Sequence, residues 1–163
     1  MRDGFVKVGA ATPDILVADC VHNREEIVKK VKEMAEAGTK VMAFPELCIT
    51  GYTCSDLFWQ ELLLVRAKEE LHKLEEELEE VEGLIIVGLP LEFNQKLYNT
   101  AAVISGGKVL GFVPKHHLPN YAEFYEARHF TAGCAFEGMV TGTEEKYLLD
   151  KISYLSVKNC HSL

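Results

Sequence analysis

A short apolar strand that ends at Pro45 and Glu46 is the feature that most constrains the fold of this sequence. Residues 40–44 are largely apolar and follow the turn residue Gly38, which predicts a buried strand. Pro45 has no N–H and a fixed φ, so it ends the hydrogen-bond ladder. Glu46 therefore lies just past a strand end, where binding sites form in open α/β sheets. A carboxylate there is costly to bury without a partner, so Glu46 is either part of a site or a partly solvated loop residue.

The segments around this strand predict alternating strands and helices. Asp19 or Asn23 is placed to cap a helix that ends near Ala37, and Ser55 or Asp56 is placed to cap a helix that begins near residue 57. The apolar run at 84–91 is typical of a strand covered on both faces. The predicted order is strand 5–12, helix 23–37, strand 40–44, helix 56–81 and strand 84–91. Strands joined in this way lie parallel in one sheet.

A hairpin follows these parallel strands. Residues 97–104 and 109–113 are strand-like and are joined by Ser105-Gly106-Gly107-Lys108, which is a strong hairpin signal. One or two helical turns are predicted within 123–130. Together these elements predict an α/β fold with a mixed sheet flanked by helices.

Length, charge and cysteine content exclude several functional classes. The chain has 163 residues, enough for one domain with a core. Its formal net charge of -8 argues against a nucleic-acid partner. Five cysteines without a CxxC pair support neither a disulfide framework nor a zinc site. Adjacent His116 and His117 point apart, so we expect no metal. No apolar run reaches membrane-spanning length, and we expect a cytoplasmic protein without a membrane partner.

Three charged residues come shortly after predicted strands. Glu46 follows the strand at 40–44, Lys115 follows the second hairpin strand, and Glu126 lies in the segment after the lysine. A carboxylate and an ammonium group side by side perturb each other's pKa, as acid/base sites require. A lysine can stabilise an oxyanion, and a glutamate can take a proton from a thiol. The residues alone supply no nucleophile for this site.

Four stretches occur in the order found in one known family. The sequence resembles the nitrilase, or carbon–nitrogen hydrolase, superfamily, and within it the glutamine-amidase domains of glutamine-dependent NAD synthetases. The resemblance covers nearly all of residues 1–133. The stretches are Asp3-Gly4-Phe5-Val6-Lys7-Val8, residues 44–58 with Phe44-Pro45-Glu46-Leu47, Val87-Gly88-Leu89-Pro90 with Tyr98-Asn99-Thr100-Ala101, and Pro114-Lys115-His116-His117-Leu118-Pro119-Asn120-Tyr121 running into residues 124–130.

The resemblance implies an αββα sandwich of the nitrilase type, incomplete in this chain, and a Glu-Lys-Cys triad. Glu46 matches the general base, and Lys115 matches the lysine that stabilises the tetrahedral intermediate. Tyr121 and Glu126 match residues that line the glutamine pocket. In the family a cysteine attacks the side-chain amide of glutamine, and the released ammonia travels to a synthetase domain that uses ATP and Mg²⁺. A homo-oligomer is implied for the full-length enzyme.

The chain also departs from the family pattern. The family nucleophile lies in an apolar run that ends in Cys-Glu-Asp, and this sequence contains no Cys-Glu-Asp. Cys160 follows a strand-like segment but has different neighbours, so it is a weak candidate and a free thiol by default. We therefore expect residues 1–138 to form the N-terminal part of the hydrolase domain, 139–163 to be an unassigned tail, and the synthetase domain to be absent. By itself the chain is expected to be inactive and to need no cofactor.

Two other hypotheses remain open from the sequence. The chain could be another nitrilase-family amidase with a different amide substrate. It could instead be a non-catalytic module that binds or assembles with other subunits.

Overall fold

A computed structural model describes residues 4–133 of the chain. The predicted boundary at residue 138, the predicted tail 139–163, and both Cys134 and Cys160 lie outside the described residues. These assignments therefore stay predictions.

The described residues form a five-stranded mixed sheet whose strands lie side by side in chain order. The first three strands run parallel, and the third, fourth and fifth are antiparallel neighbours. The predicted mixed sheet and its terminal hairpin are thereby confirmed. The strands are β1 Val8–Ala10, β2 Val41–Ala43, β3 Leu84–Phe93, β4 Lys96–Ser105 and β5 Lys108–Pro114.

Two long helices connect the parallel strands. Helix α1 (Cys20–Glu36) joins β1 to β2, and helix α2 (Glu61–Glu77) lies between β2 and β3. Successive connections run in the same direction across the sheet, and such connections are right-handed, so both helices pack on one face. The Asp19 carboxylate accepts a hydrogen bond from the His22 N–H at 3.0 Å, which confirms the predicted cap of α1. No helix within residues 4–133 is long and apolar enough to cross a membrane.

The start predicted for the second helix is wrong. Helix α2 begins at Glu61, and a kinked 3-10 segment, Tyr52–Trp59, precedes it. Ser55 has φ 50° and ψ -129°, a conformation that cannot continue a helix. The Phe58 side chain is 2% exposed and packs edge-on against Phe130, with 5.0 Å between the ring centroids. This long-range contact outweighs the local helix signal at Ser55 and Asp56, and the Tyr52–Trp59 segment does not join α2.

The core lies between the helices and the sheet. Alternate residues of β3, namely Ile85, Val87 and Leu89, are fully buried, as expected for strand side chains on the helix-covered face. Burying one such side chain contributes about 1.5–3 kcal/mol. The core residues that the helices contribute include Ile27, Val31, Leu71 and Leu74.

A buried ion pair joins the two helices. Arg24 of α1 donates to the Glu70 carboxylate of α2 at 2.7 Å, and Lys73 donates to the same carboxylate at 2.6 Å. Arg24 also pairs with Glu77. Burial alone would raise the pKa of Glu70, but the hydrogen bonds from Lys73 and Arg24 outweigh burial and hold this pKa below its ordinary value. Glu70 therefore stays ionised although it is fully buried.

Replacing Arg24 by alanine should lower the free energy of unfolding by about 3 kcal/mol, because the buried Glu70 carboxylate loses Arg24 and keeps only the partly exposed Lys73 as a cationic partner. The double variant Arg24→Met/Glu70→Leu should recover most of this loss, since it removes both charges. Urea denaturation at pH 7 measures both changes. The control Lys40→Ala removes only the exposed pair with Glu82 and should have little effect. Equal losses of unfolding free energy in Arg24→Ala and Lys40→Ala would contradict a stabilising role for the buried Arg24–Glu70 pair.

Candidate active site

A tight turn holds Glu46 against the sheet. After Pro45 the chain bends back, and the Thr50 and Gly51 N–H groups donate to the Leu47 carbonyl at 3.1 and 2.7 Å. Leu47 has φ 53°, which a non-glycine residue adopts only when its surroundings enforce it. The Ile49 N–H donates to the Gly88 carbonyl at 3.1 Å. The turn is thus fastened to the middle of β3.

Gly88 makes this close approach possible. A Cβ atom at this position would overlap the Leu47 backbone nitrogen and lie 2.8 Å from the Pro45 carbonyl oxygen. The Cys48 thiol also donates a hydrogen bond to the Gly88 carbonyl and accepts one from the Gly88 N–H. Only a glycine at position 88 therefore lets the Glu46 turn lie on β3. This gives a structural reason for the glycine in the Val87-Gly88-Leu89-Pro90 stretch.

Lys115 lies between two carboxylates. Its backbone N–H, directly after β5, donates to the Asn99 carbonyl at 2.8 Å. Its Nζ lies 2.9 Å from both carboxylate oxygens of Glu46 and 2.9 Å from Oε1 of Glu126. Glu126 is the first residue of the short helix α3 (Glu126–His129). The structure therefore brings together the three charged residues that the sequence pattern singled out.

Electrostatics favour the charged form of this lysine. Burial is the largest influence on the pKa of Lys115 and lowers it, but the hydrogen bonds and charges of Glu126 and Glu46 together raise this pKa above its ordinary value. Glu126 is 5% exposed, whereas the Lys115 and Glu46 side chains are 26% and 37% exposed. The result is a permanent cation that is reachable from solvent and can face developing negative charge.

Two further residues of the site were missed by sequence reasoning. The Asn99 Nδ2 donates to Oε1 of Glu46 at 2.6 Å, and the Tyr52 hydroxyl donates to Oε1 of Glu126 at 2.9 Å. Burial, followed by the hydrogen bond and negative charge of Glu126, raises the pKa of Tyr52, so its hydroxyl remains a donor. Both residues lie within stretches that carry the family resemblance, which was the one available signal for them.

Tyr121 occupies a different position from the other predicted residues. Its side chain is 69% exposed and its ring packs edge-on against Phe124, with 5.6 Å between centroids. It is not among the described residues that line the cleft beside Glu46. The role assigned to Tyr121 in glutamine binding stays a prediction.

A cleft of about 290 Å³ opens beside the Glu46–Lys115 pair. This volume lies just below the range of about 300–1,000 Å³ that is typical of pockets for drug-sized ligands, so the cleft has room for a small molecule. Its floor is the sheet face opposite the helices. The lining residues include Phe44, Ile86, Gly88, Ala101 and Val113.

None of the cysteines within residues 4–133 has the properties of a nucleophile. Cys20, Cys48 and Cys54 are free and buried. Burial raises the pKa of Cys20 and that of Cys48 to about 12 and also raises that of Cys54, so these thiols lack the thiolate that attacks a carbonyl. The same residues contain no group of three or more His, Cys, Asp or Glu side chains arranged to hold a metal ion.

The mixed sheet, the cleft and the carboxylate–lysine cluster at the strand ends agree with an α/β fold of the nitrilase type. The sequence profile of the Carbon-nitrogen hydrolase family matches residues 7–160, and the chain belongs to this family. The predicted resemblance and the predicted incomplete nitrilase-type α/β fold are confirmed. The match runs past residue 138, so it includes most of the segment for which the sequence pattern predicted no assignment.

The chain is also similar to curated proteins and to solved structures. The chain is 36% identical over 139 residues to the glutamine-dependent NAD(+) synthetase of Mycobacterium tuberculosis, covering 85% of this chain and 20% of that protein. It is 39% identical over 118 residues to the enzyme of the same name from Aquifex aeolicus, covering 72% of this chain and 20% of that protein. The chain thus spans about a fifth of these relatives' length.

Among solved structures, a glutamine-dependent NAD(+) synthetase from Cytophaga hutchinsonii superposes with a TM-score of 0.81 at 28% identity, covering 88% of this chain and 25% of that one. An amidase from Nesterenkonia superposes with a TM-score of 0.68 at 20% identity, covering 86% of this chain and 53% of that one. The second likeness concerns the fold alone.

Replacing Gly88 by alanine should displace the Glu46 turn and lower the free energy of unfolding by about 1–3 kcal/mol, as overpacking typically does. Chemical denaturation provides the measurement. Gly38→Ala is the matched control, because Gly38 has φ +80° but open space around it, so this change tests turn strain without a clash. A Gly88→Ala chain as stable as wild type would show that the turn does not rest on β3.

Proposed function

We propose that this chain contributes the glutamine-amidase site of a glutamine-dependent NAD synthetase. The main support is that Lys115 Nζ lies 2.9 Å from the carboxylates of both Glu46 and Glu126 in a chain of the Carbon-nitrogen hydrolase family. The named relatives support glutamine as the amide. They do not favour a different amide substrate or a non-catalytic module.

In this proposal Glu46 is the general base and Lys115 stabilises the oxyanion. Glu46 takes the proton of an attacking thiol, and sulfur bonds to the amide carbon of glutamine. The carbonyl oxygen then carries negative charge, which the Lys115 ammonium stabilises. The C–N bond breaks, and the proton on Glu46 leaves with ammonia. Water, deprotonated by Glu46, then attacks the thioester carbon. The C–S bond breaks, glutamate is released, and the proton on Glu46 returns to the thiolate.

Glu126 and Tyr121 are proposed to recognise glutamine. The Glu126 carboxylate is almost fully buried, yet its Oε2 has no hydrogen-bond partner within residues 4–133. A buried carboxylate oxygen without a donor is unfavourable, and a substrate N–H group that reaches Oε2 would supply this donor. Glu126 is not among the described residues that line the cleft beside Glu46. Tyr52 and Lys115 already donate to the other oxygen, Oε1, and thereby orient Oε2.

The released ammonia is proposed to serve an ATP- and Mg²⁺-dependent amidation of deamido-NAD. That step belongs to a synthetase domain outside residues 1–163, and the site described above uses no cofactor in this proposal. A cytoplasmic location and a homo-oligomeric full-length enzyme belong to the same proposal.

Glutamine binding tests this function directly. Isothermal titration calorimetry should give saturable binding of L-glutamine and weaker binding of L-asparagine, whose side chain is one methylene shorter. Glu126→Gln should weaken glutamine binding about tenfold or more, because a charge-assisted bond is lost. The control Glu36→Gln changes an exposed glutamate at the end of α1, next to the amino end of β2 and away from the site, and should leave binding unchanged.

Tyr121→Phe tests the remaining predicted residue in the same titration, and weaker glutamine binding is expected. Equal affinity for glutamine and propionamide would contradict glutamine recognition and favour an aliphatic amidase. Absence of binding by any amide would contradict the amidase proposal as a whole.

We expect no glutamate release from glutamine by the chain alone. A base and a lysine cannot form the acyl-enzyme without a placed thiol, and losing one member of a cooperating triad removes almost all of the rate. An enzyme-coupled glutamate assay measures turnover. Turnover that is lost in Cys160→Ala but survives in Cys134→Ala would contradict this expectation and identify Cys160 as the nucleophile. Turnover that survives both changes indicates a contaminating amidase.

A further inference from the structure

Asn99 lies on the strand between the elements that carry Glu46 and Lys115. Glu46 follows β2 and Lys115 follows β5, and β3 and β4 separate these strands. Three inter-strand spacings amount to about 14 Å, which is too far for a direct contact between groups placed on the strands themselves. The Glu46 turn crosses β3 at Gly88, and Asn99 on β4 spans the remaining distance.

The side chain and the backbone of Asn99 each bind one member of the pair. Its Nδ2 donates to Glu46 Oε1 at 2.6 Å, and its carbonyl oxygen accepts the Lys115 N–H at 2.8 Å. A carboxylate can only accept hydrogen bonds, so this contact fixes which end of the amide faces Glu46. Asn99 is 3% exposed. Its backbone pairs with Pro90 of β3 on one side and accepts the Lys115 N–H, directly after β5, on the other.

Glu46 gains from such a partner because Lys115, its other partner, is divided between two carboxylates. It belongs to a turn, its side chain is 37% exposed, and a solvated glutamate side chain samples several rotamers. Lys115 also bonds to the buried Glu126, so its ammonium group does not orient Glu46 alone. Asn99 is the neutral donor to Glu46 within residues 4–133.

We propose that Asn99 is a positioning residue that holds the Glu46 carboxylate in register with Lys115 and leaves Oε2 as the proton-accepting oxygen. Oε1 accepts from both Asn99 and Lys115, so its two lone pairs are occupied. Oε2 accepts from Lys115 alone and keeps one lone pair for a proton. This assignment of the oxygens rests on the proposed function of Glu46 as a base, whereas the positioning does not.

Nuclear magnetic resonance of the asparagine side-chain amides tests the contact in the intact chain. In the wild type, one Asn99 Nδ2 proton should be shifted downfield and should exchange with solvent at least tenfold more slowly than the amide of the exposed Asn94. Glu46→Ala removes the acceptor and should abolish both signatures while leaving Asn94 unchanged. Equal exchange at Asn99 and Asn94 in the wild type would overturn the proposal.

A second measurement follows the Lys115 ammonium through its NMR titration. Asn99→Ala frees Glu46, so the pKa of Lys115 should fall towards the value found in Glu46→Gln. The control Asn94→Gly removes an amide at an exposed turn where φ is 49° and should leave this pKa unchanged. An unchanged Lys115 pKa in Asn99→Ala beside a lowered one in Glu46→Gln would also overturn the proposal. Neither experiment uses glutamine, so a failed glutamine titration would bear on the proposed function alone.

Discussion

The Lys115 ammonium group between two carboxylates is the interaction on which the rest of the site depends. Glu46 and Glu126 lie 69 and 11 residues away from it in the sequence, yet both reach it within hydrogen-bond distance. Two carboxylates this close to one another repel unless a cation separates them. The lysine therefore holds the glutamates together, and the glutamates keep the lysine charged.

The sheet is built so that these groups can meet. Strand β5 is antiparallel to β4, which is antiparallel to β3, so β5 runs in the same direction as β2. The carboxyl ends of β2 and β5 consequently lie at the same edge. Strands β3 and β4 lie between β2 and β5. The turn over Gly88 crosses β3, and the Asn99 amide on β4 spans the remaining distance. A glycine and an asparagine, neither of them catalytic, thus determine the geometry of the charged pair.

Contacts from the 3-10 segment before α2 hold Glu126 and the short helix α3 in place. Tyr52, in the 3-10 segment before α2, donates to Glu126 across 74 residues of sequence. The same segment is joined to α3 by the exposed Asp56–Arg128 pair at 2.9 Å and by the buried Phe58–Phe130 contact. The aromatic contact contributes more, because it buries apolar area, whereas an exposed ion pair contributes little.

The sequence by itself determined the order of strands and helices along the chain, the hairpin and the positions of Glu46 and Lys115, because apolar runs, Pro45 and the Gly106-Gly107 turn are local signals. It also indicated the family through motifs that keep their order along the chain. Only the tertiary structure decided the roles of Tyr52 and Asn99, whose partners lie 74 and 53 residues away. It likewise moved the start of α2 to Glu61, because packing of distant side chains outweighs the few tenths of a kcal/mol that local helix propensity contributes.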